Sequence, residues 1–377
     1  MDNKEKSLRC SAKLSDWYAA DQIPQCSDAN AGRIHFGYDP TTPTVFWAYE
    51  WNLGFGIMAL MSAYKVFGDE KYKKCAENML RYLKTLQIFD PFLPHAYGAI
   101  RESNPMTVWC YVRDAISAAW GFAEYYKVTG CVEYKKRAEL FGEWCLKYGI
   151  DEKGWLRWGV QFEDAPEDLP APDMRPDLHG CFHGGSLNYF YQMYKITGDK
   201  KWVGPFFERI ADYLCSNIQQ ENGFFITVEA ATGKVAPNDP QGDLHRGNDD
   251  LNTLGLLCAY KIYRKQSYLD SIKKFLDAVF AKQDEDGFFE SGAAALAVIL
   301  NVVHEAAEVM DTTPYQQGCE KALQALFTRQ FPDDALPNFA GGLHEDGKGN
   351  LCVRSMGYAL IYLLKKYGND DRFLSCK

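Results

Sequence analysis

No stretch of this sequence approaches the roughly 18 consecutive apolar residues that a membrane-spanning helix needs. Basic blocks are missing as well. The formal net charge is −9, and no lysine- or arginine-rich run supplies the electrostatic footprint of a nucleic-acid-binding protein. The opening residues, Met1-Asp-Asn-Lys-Glu-Lys, lack the apolar core of a signal peptide, so a cytoplasmic location is expected. No nucleic-acid or membrane partner is expected either. The twelve cysteines do not form a spaced framework. Cys75, Cys145, Cys215 and Cys258 fall inside apolar runs and read as reduced, buried small residues rather than disulfide partners.

What is present is a soluble globular balance, 47 % hydrophobic and 24 % charged residues, unusually rich in aromatics at 15 %. Most of the 23 tyrosines and 23 phenylalanines read as core filler. Several of the 9 tryptophans fall instead in the same turns as charged residues.

The main organising signal is a repeat. Tyr-Lys-Val or Tyr-Lys-Ile closes an apolar run at Tyr64, Tyr126, Tyr194 and Tyr260. A turn follows each time, three times with glycine, which supplies the left-handed cap that ends a helix. An amphipathic segment comes next, and three of these segments end in a breaker that joins glycine to an aromatic: Gly154-Trp155, Gly223-Phe224 and Gly287-Phe288. The unit is a helical hairpin with a buried inner helix and an amphipathic outer one. The spacing predicts inner helices at about 44–66, 106–128, 179–197, 246–263, 290–310 and 350–367. Outer helices are predicted at about 69–88, 131–148, 199–218, 265–282 and 314–330, with a sixth in Lys4–Ala20 closing the ring. The expected fold is therefore all-α, one domain over residues 1–377, an (α/α)6 barrel of six hairpins. The inner helices would all start at one end. The loops ahead of them, including the long insertions Pro91–Met106, Gly159–Asp177 and Thr232–Asp243, would form a single funnel there.

Polar, ionisable and aromatic residues concentrate at these six entries. They include Trp47, Tyr49, Glu50 and Trp51; Trp109, Tyr111, Arg113 and Asp114; His179 and His183; His245, Arg246, Asn248, Asp249 and Asp250; Glu290 and Ser291; and Arg354 and Tyr358. Helix N-capping accounts for Asp, Asn and Ser at such places. It does not account for Trp, His and Arg recurring at the same six, which a shared cavity does.

At these entries the chain resembles the six-hairpin glycosidase group, and within it the unsaturated glucuronyl and rhamnogalacturonyl hydrolases. The resemblance runs from about Thr44 to Lys366 and rests on three places. Asp114, followed by Ala-Ile-Ser, stands where that family has an aspartate on the second inner helix. His245-Arg246-Gly247-Asn248 stands where it has an Arg-Gly motif opening the fourth. Glu290-Ser291-Gly-Ala-Ala stands at its acidic start of the fifth. The resemblance implies an (α/α)6 barrel and action on uronic-acid-containing oligosaccharides. One departure is plain: the family's acid/base aspartate opens the third inner helix, where this chain has Cys181-Phe-His183 and no carboxylate.

Glycoside cleavage uses carboxyl groups as proton donor and as base or nucleophile. The candidates are Asp114 first, then Asp250 beside Asp249 or Asn248, then Glu50. Asp114 follows Arg113 at the head of the most apolar inner helix, where desolvation raises a carboxyl pKa. His179 and His183, four apart, are expected to share a helix face and to hydrogen-bond substrate. No third ligand accompanies them, so no metal and no cofactor is expected. Arg113, Arg246 and Arg354, together with Arg101, are candidates for holding a uronate carboxylate. Trp47, Trp51, Trp109 and Tyr358 are candidate faces for a sugar ring. An unsaturated uronate would be hydrolysed by protonating and hydrating its vinyl ether, which needs an acid/base carboxyl rather than an anomeric nucleophile. Competing readings are an N-acylglucosamine-type sugar epimerase, a polysaccharide lyase, a carbohydrate-binding protein without turnover, and a zinc-dependent lanthionine-cyclase-like toroid. The last is suggested by Trp109-Cys110-Tyr111 and by Cys181 near His183.

Overall fold

A computed structural model describes residues 2–24, 28–39, 45–163, 178–180, 182–235, 249–289, 293–345 and 349–377. Twelve α-helices lie among them. The inner set is α2 (Glu50–Phe67), α4 (Val112–Thr129), α6 (Phe182–Thr197), α8 (Asp249–Tyr263), α10 (Ala293–Ala306) and α12 (Val353–Gly368). The outer set is α1 (Asn3–Asp21), α3 (Glu70–Leu86), α5 (Val132–Trp144), α7 (Pro205–Tyr213), α9 (Gln266–Ala281) and α11 (Gln316–Thr328). Each inner helix packs on the next, and α12 packs back on α2, so the ring closes. Each outer helix covers one inner helix, and α1 covers α12. The architecture is the (α/α)6 barrel that the repeat predicts, with the N-terminal helix as the twelfth.

The repeated tyrosines have a common backbone role. The carbonyls of Tyr64, Tyr126, Tyr194 and Tyr260 accept the N–H groups of Gly68, Gly130, Gly198 and Arg264 at 2.8–3.0 Å. The three glycines have φ of +70° to +71°, and Arg264 takes φ +57° in the same place. Inside the ring, small residues let helix backbones approach. A Cβ on Gly54 of α2 would meet the Ser117 carbonyl oxygen of α4 at 2.2 Å, and one on Gly184 of α6 would meet Asn252 Cα of α8 at 2.3 Å. The outer helices carry apolar stripes and bury large aromatics, among them Phe141, Phe207 and Phe275. Full burial of such a ring contributes roughly 1.5–3 kcal/mol.

The funnel end departs from a purely helical reading. The runs ahead of α2 and α4 were expected to be helical from about 44 and 106, but their last residues are extended instead. β1 (His35–Tyr38) pairs antiparallel with β2 (Val45–Trp47) and with β7 (Leu351–Cys352). β3 (Trp109–Tyr111) pairs with β4 (Gly159–Gln161), and β5 (Leu178–His179) with β6 (Val228–Glu229). Aromatic and β-branched residues suit such half-buried ladders. Each of these strands delivers the chain into the start of an inner helix or braces one that does.

The other end is sealed by the chain's own tail. Lys365, fully buried in α12, donates to Glu305 Oε1 at 2.6 Å, to Asn301 Oδ1 at 2.7 Å and to the Leu374 carbonyl at 2.9 Å. Glu305 also accepts from Ser375 Oγ and from the Cys376 N–H. The charges are thus paired and their remaining hydrogen-bonding positions are filled, the condition for burying an ion pair.

Candidate active site

Two inner-helix entries and the loop between them build one cavity of about 540 Å3. Its wall includes Tyr49 and Trp51 from the head of α2, Trp109 and Tyr111 from β3, and Arg113 and Asp114 from the first turn of α4. Glu102, Ser103 and Met106 come from the loop that leads into β3, and Phe36 from β1. Aromatic rings thus surround a polar floor.

The floor is a trio of carboxyl groups. Glu50, Glu102 and Asp114 each offer an oxygen within 4.8 Å of the others. They are 1 %, 6 % and 9 % exposed, respectively. Burial raises all three. The Glu50 carboxyl is pushed up to about 7, in spite of the hydrogen bonds it accepts. Glu102 is held well above the usual carboxylate range by burial, with the Glu50 and Asp114 charges adding to it. Asp114 is raised by burial and pulled back by Arg113, whose Nε lies 2.9 Å from Asp114 Oδ1.

Crowding and burial together favour a shared proton in the trio. Glu50 Oε2 accepts the Ser103 N–H at 3.1 Å. Glu50 Oε1 and Glu102 Oε2 are buried and meet no hydrogen-bond partner among the described residues. Carboxyl oxygens in that position are satisfied when one neighbour carries a proton. Glu102 lies against both other carboxyl groups, and its side chain offsets part of the upward push on Glu50 and on Asp114. Like charges at this separation cannot all ionise, and Glu102, pushed up by burial and by both neighbouring carboxylates and pulled back only weakly by Arg113, is the group of the trio favoured to hold a proton.

The loop is shaped to hold Glu102 there. Its N–H donates to the Trp109 carbonyl at 3.2 Å, and Thr107 Oγ1 donates to its carbonyl. Ser103, next in sequence, takes φ +61°, a left-handed conformation that a non-glycine residue rarely adopts. The Ser103 carbonyl accepts from Tyr82 Oη at 2.9 Å, so both peptide groups of this strained residue are fixed. Trp109 contributes a buried indole N–H with no acceptor among the described residues, a donor available to a ligand. Among the described residues the trio is the one group with metal-ligand spacing. The Arg113 guanidinium against Asp114 opposes a cation there, and a proton on Glu102 relieves the same crowding.

Seven of the residues named from the sequence meet at this site: Tyr49, Glu50, Trp51, Trp109, Tyr111, Arg113 and Asp114. Glu102 was missed. It lies in the Pro91–Met106 insertion rather than at a helix start, and the length of that insertion in the funnel was its one signal. Trp47 does not line the cavity; it stacks on His35 at 4.6 Å and 20°, with the Arg33 guanidinium 5.0 Å from its ring. Tyr358 is a correction: it is 2 % exposed and packs on Phe55 at 4.9 Å, one turn too deep in α12 to meet a substrate. Arg354 is ion-paired with Glu345 and lies outside the cavity wall.

His179 and His183 do not share a helix face. His179 is in β5 and His183 in the first turn of α6, with Gly180 between the elements. His183 is fully buried, its Nδ1 donating to the Gly180 carbonyl at 3.0 Å and its ring against Tyr213. The side chains of His179, Asp249 and Asp250, and the whole of Arg246, Asn248, Glu290 and Ser291, lie outside the described residues. Asp249 and Asp250 begin α8, so they stand at the same end of the barrel as Asp114.

No family model and no curated protein matches the sequence. Solved structures do. A cellobiose 2-epimerase from Bacillus thermoamylovorans B4167 superposes with a TM-score of 0.71 at 13 % identity, over 93 % of this chain and 95 % of that one. An unsaturated glucuronyl hydrolase specific for heparin gives 0.69 at 17 % identity, over 97 % of each chain. A family 76 glycoside hydrolase (mannosidase) from Bacteroides thetaiotaomicron VPI-5482 gives 0.71 at 14 %, over 96 % of this chain and 99 % of that one. At these identities the likeness is one of fold: along nearly its whole length the chain is an (α/α)6 barrel of the kind found in six-hairpin glycosidases and sugar 2-epimerases.

Proposed function

We propose that this protein is a carbohydrate-active enzyme, a glycoside hydrolase acting on uronic-acid-containing oligosaccharides through carboxyl acid/base catalysis. The observation that carries the reading is the buried carboxyl trio Glu50, Glu102 and Asp114 on the floor of an aromatic-walled cavity, with burial raising all three above the usual carboxylate range. A carboxyl group still protonated near neutral pH is a general acid in waiting.

The closeness of the trio bears on the reaction. An inverting hydrolase sets its two carboxyl groups about 6.5–9.5 Å apart to admit a water between acid and base. These three lie within 4.8 Å and act as one proton-exchanging unit. That suits the hydration of an unsaturated uronate. Glu102 delivers its proton to C4 of the C4=C5 vinyl ether. The cation that forms at C5 is stabilised by the ring oxygen and by the Glu50 and Asp114 carboxylates. Water adds at C5, and Glu50 takes the proton that it loses. The resulting hemiketal opens at C5–O5 to a ketone, which leaves C1 as a hemiacetal; its collapse to the aldehyde breaks the glycosidic bond, and the C1 hydroxyl proton passes to the departing sugar oxygen. Arg113, the cation in the cavity wall, is placed to meet the uronate carboxylate. Trp51 and Trp109 offer ring faces, and the Trp109 N–H a hydrogen bond.

The test is a screen of uronate-containing oligosaccharides, native and lyase-cut, with wild-type protein and with Glu102→Gln and Asp114→Asn. Loss of the unsaturated chromophore with wild type, abolished in Glu102→Gln, is the expected result. Gain of that chromophore would make the protein a lyase, and epimer formation without cleavage would make it an epimerase. Full activity in Glu102→Gln would overturn the assignment.

A further inference from the structure

β1 is a wall between two cavities. Phe36 lines the carboxylate cavity, whereas His35 and Tyr38 line a second one of about 620 Å3, between α1 and the segment 332–341. Strict strand alternation would send residues 35 and 38 to opposite faces. The register shift between His35 and Gly37 brings both to the same side.

Facing them, α1 presents Lys13, Asp16, Trp17, Ala20 and Asp21, spaced as one helical stripe. At the centre Asp21 Oδ2 accepts the His35 N–H at 2.8 Å. Its Oδ1 accepts the Tyr38 hydroxyl at 2.5 Å and lies 3.0 Å from His35 Nδ1. A proton on Nδ1 leaves His35 Nε2 as an acceptor. Across the cavity the Trp17 indole N–H donates to the Asn338 carbonyl at 2.9 Å, and its ring lies edge-on to Tyr38.

The carboxylates here are each engaged by the protein. Asp333 is 2.6 Å from Lys13 Nζ, Asp16 is 2.8 Å from Lys71 Nζ, and Asp21 is held by His35 and Tyr38. A concave site with aromatic rings, closely placed donors and acceptors, and carboxylates already engaged by the protein suits a neutral polyhydroxylated ring. Its hydroxyls both donate and accept, and its C–H faces lie against aromatic carbon.

We propose that this second cavity is a carbohydrate-binding site for one neutral sugar unit, separate from the acid/base cavity. The choice of a sugar among neutral polar ligands rests on the carbohydrate reading of the main cavity. In the experiment, Glu102→Gln protein is titrated calorimetrically with D-glucose, D-mannose, D-galactose, cellobiose and D-glucuronate, alone and combined with Ala340→Trp or Tyr38→Phe. Ala340→Trp fills the cavity from its rim. The expected result is saturable binding of at least one neutral sugar in the millimolar range, weakened about tenfold or more by Ala340→Trp and less by Tyr38→Phe, at unchanged Tm. D-glucuronate is expected to show no component sensitive to Ala340→Trp. Neutral-sugar binding that is absent, or indifferent to Ala340→Trp, would overturn the proposal, as would a binding component for D-glucuronate that Ala340→Trp weakens as strongly. Binding sensitive to Ala340→Trp in a protein that turns over no uronate substrate would count against the hydrolase reading and leave this site standing.

Discussion

Glu50 and Glu102 meet carboxyl to carboxyl in the floor of the cavity, one from the first residue of an inner helix and the other from the loop ahead of the next. Neither environment alone makes an acid. The helix N-terminus favours an ionised Glu50. Burial reverses that preference, and the second carboxyl brought beside it leaves one proton for the pair to share.

Glu102→Gln keeps the shape and the hydrogen-bonding capacity of the side chain but removes the transferable proton. A fall in kcat of about 10²–10⁴, with KM little changed, is expected for loss of a general acid. In the wild type, activity should decline on the alkaline side as the shared proton leaves. A pH–rate profile flat from neutral to alkaline pH would remove Glu102 from that role.

The same burial has a thermodynamic consequence at Glu50. Its pKa is about 7 in the folded chain against an ordinary 4.5. The folded state therefore binds the proton more tightly. The stability this confers is present in full below pH 4.5 and is lost as pH rises through 7, a change on the order of 3 kcal/mol. Glu50→Gln does not titrate. Its stability relative to wild type should therefore increase between pH 5 and pH 8 while activity falls, as chemical denaturation at the two pH values would record. A mutant advantage equal at both pH values would contradict the buried, proton-sharing state.

Trp109→Phe retains the ring face and deletes the buried indole N–H. An increase in KM of roughly threefold to tenfold, corresponding to one lost hydrogen bond of about 0.5–1.5 kcal/mol, is expected in steady-state kinetics. An unchanged KM would mean that the N–H does not meet substrate.

At the sealed end, Lys365→Met strands Glu305 as a buried charge. Destabilisation of about 3–5 kcal/mol is expected from urea unfolding. Lys365→Met combined with Glu305→Leu should recover part of that loss, because no uncompensated charge remains. A double mutant as unstable as the sum of the singles would argue against a direct pairing.

The hairpin ring was legible because its signal is local and repeated. The Tyr-Lys-Val/Ile closures, the glycine caps and the amphipathic outer faces each depend on a few neighbouring residues, and the structure uses them as such. Glu50, Trp51, Trp109, Arg113 and Asp114 were readable for the same reason, since each sits at or next to a helix start. Glu102 was not, because what makes it functional is tertiary: a loop of no periodicity carries it to two carboxyl groups from other elements. Trp47 and Tyr358 show the converse. Their positions at entries looked alike in sequence, but a strand pairing turns one toward His35 and helical phase turns the other toward Phe55. The strands themselves were hidden inside apolar runs too short to separate extended from helical backbone.

Closure of the ring by α1 against α12 brings segments far apart in sequence to one rim of the barrel. Asn3 hydrogen-bonds Glu320 in α11, and Lys377 pairs with Glu308 just beyond α10, so residues 3 and 377 both lie where the inner helices finish, away from the carboxyl trio. A linker joining residues 3 and 377, with the backbone opened at the solvent-facing Gly130 turn, would give a circular permutant that keeps every helix contact and leaves the cavity floor intact.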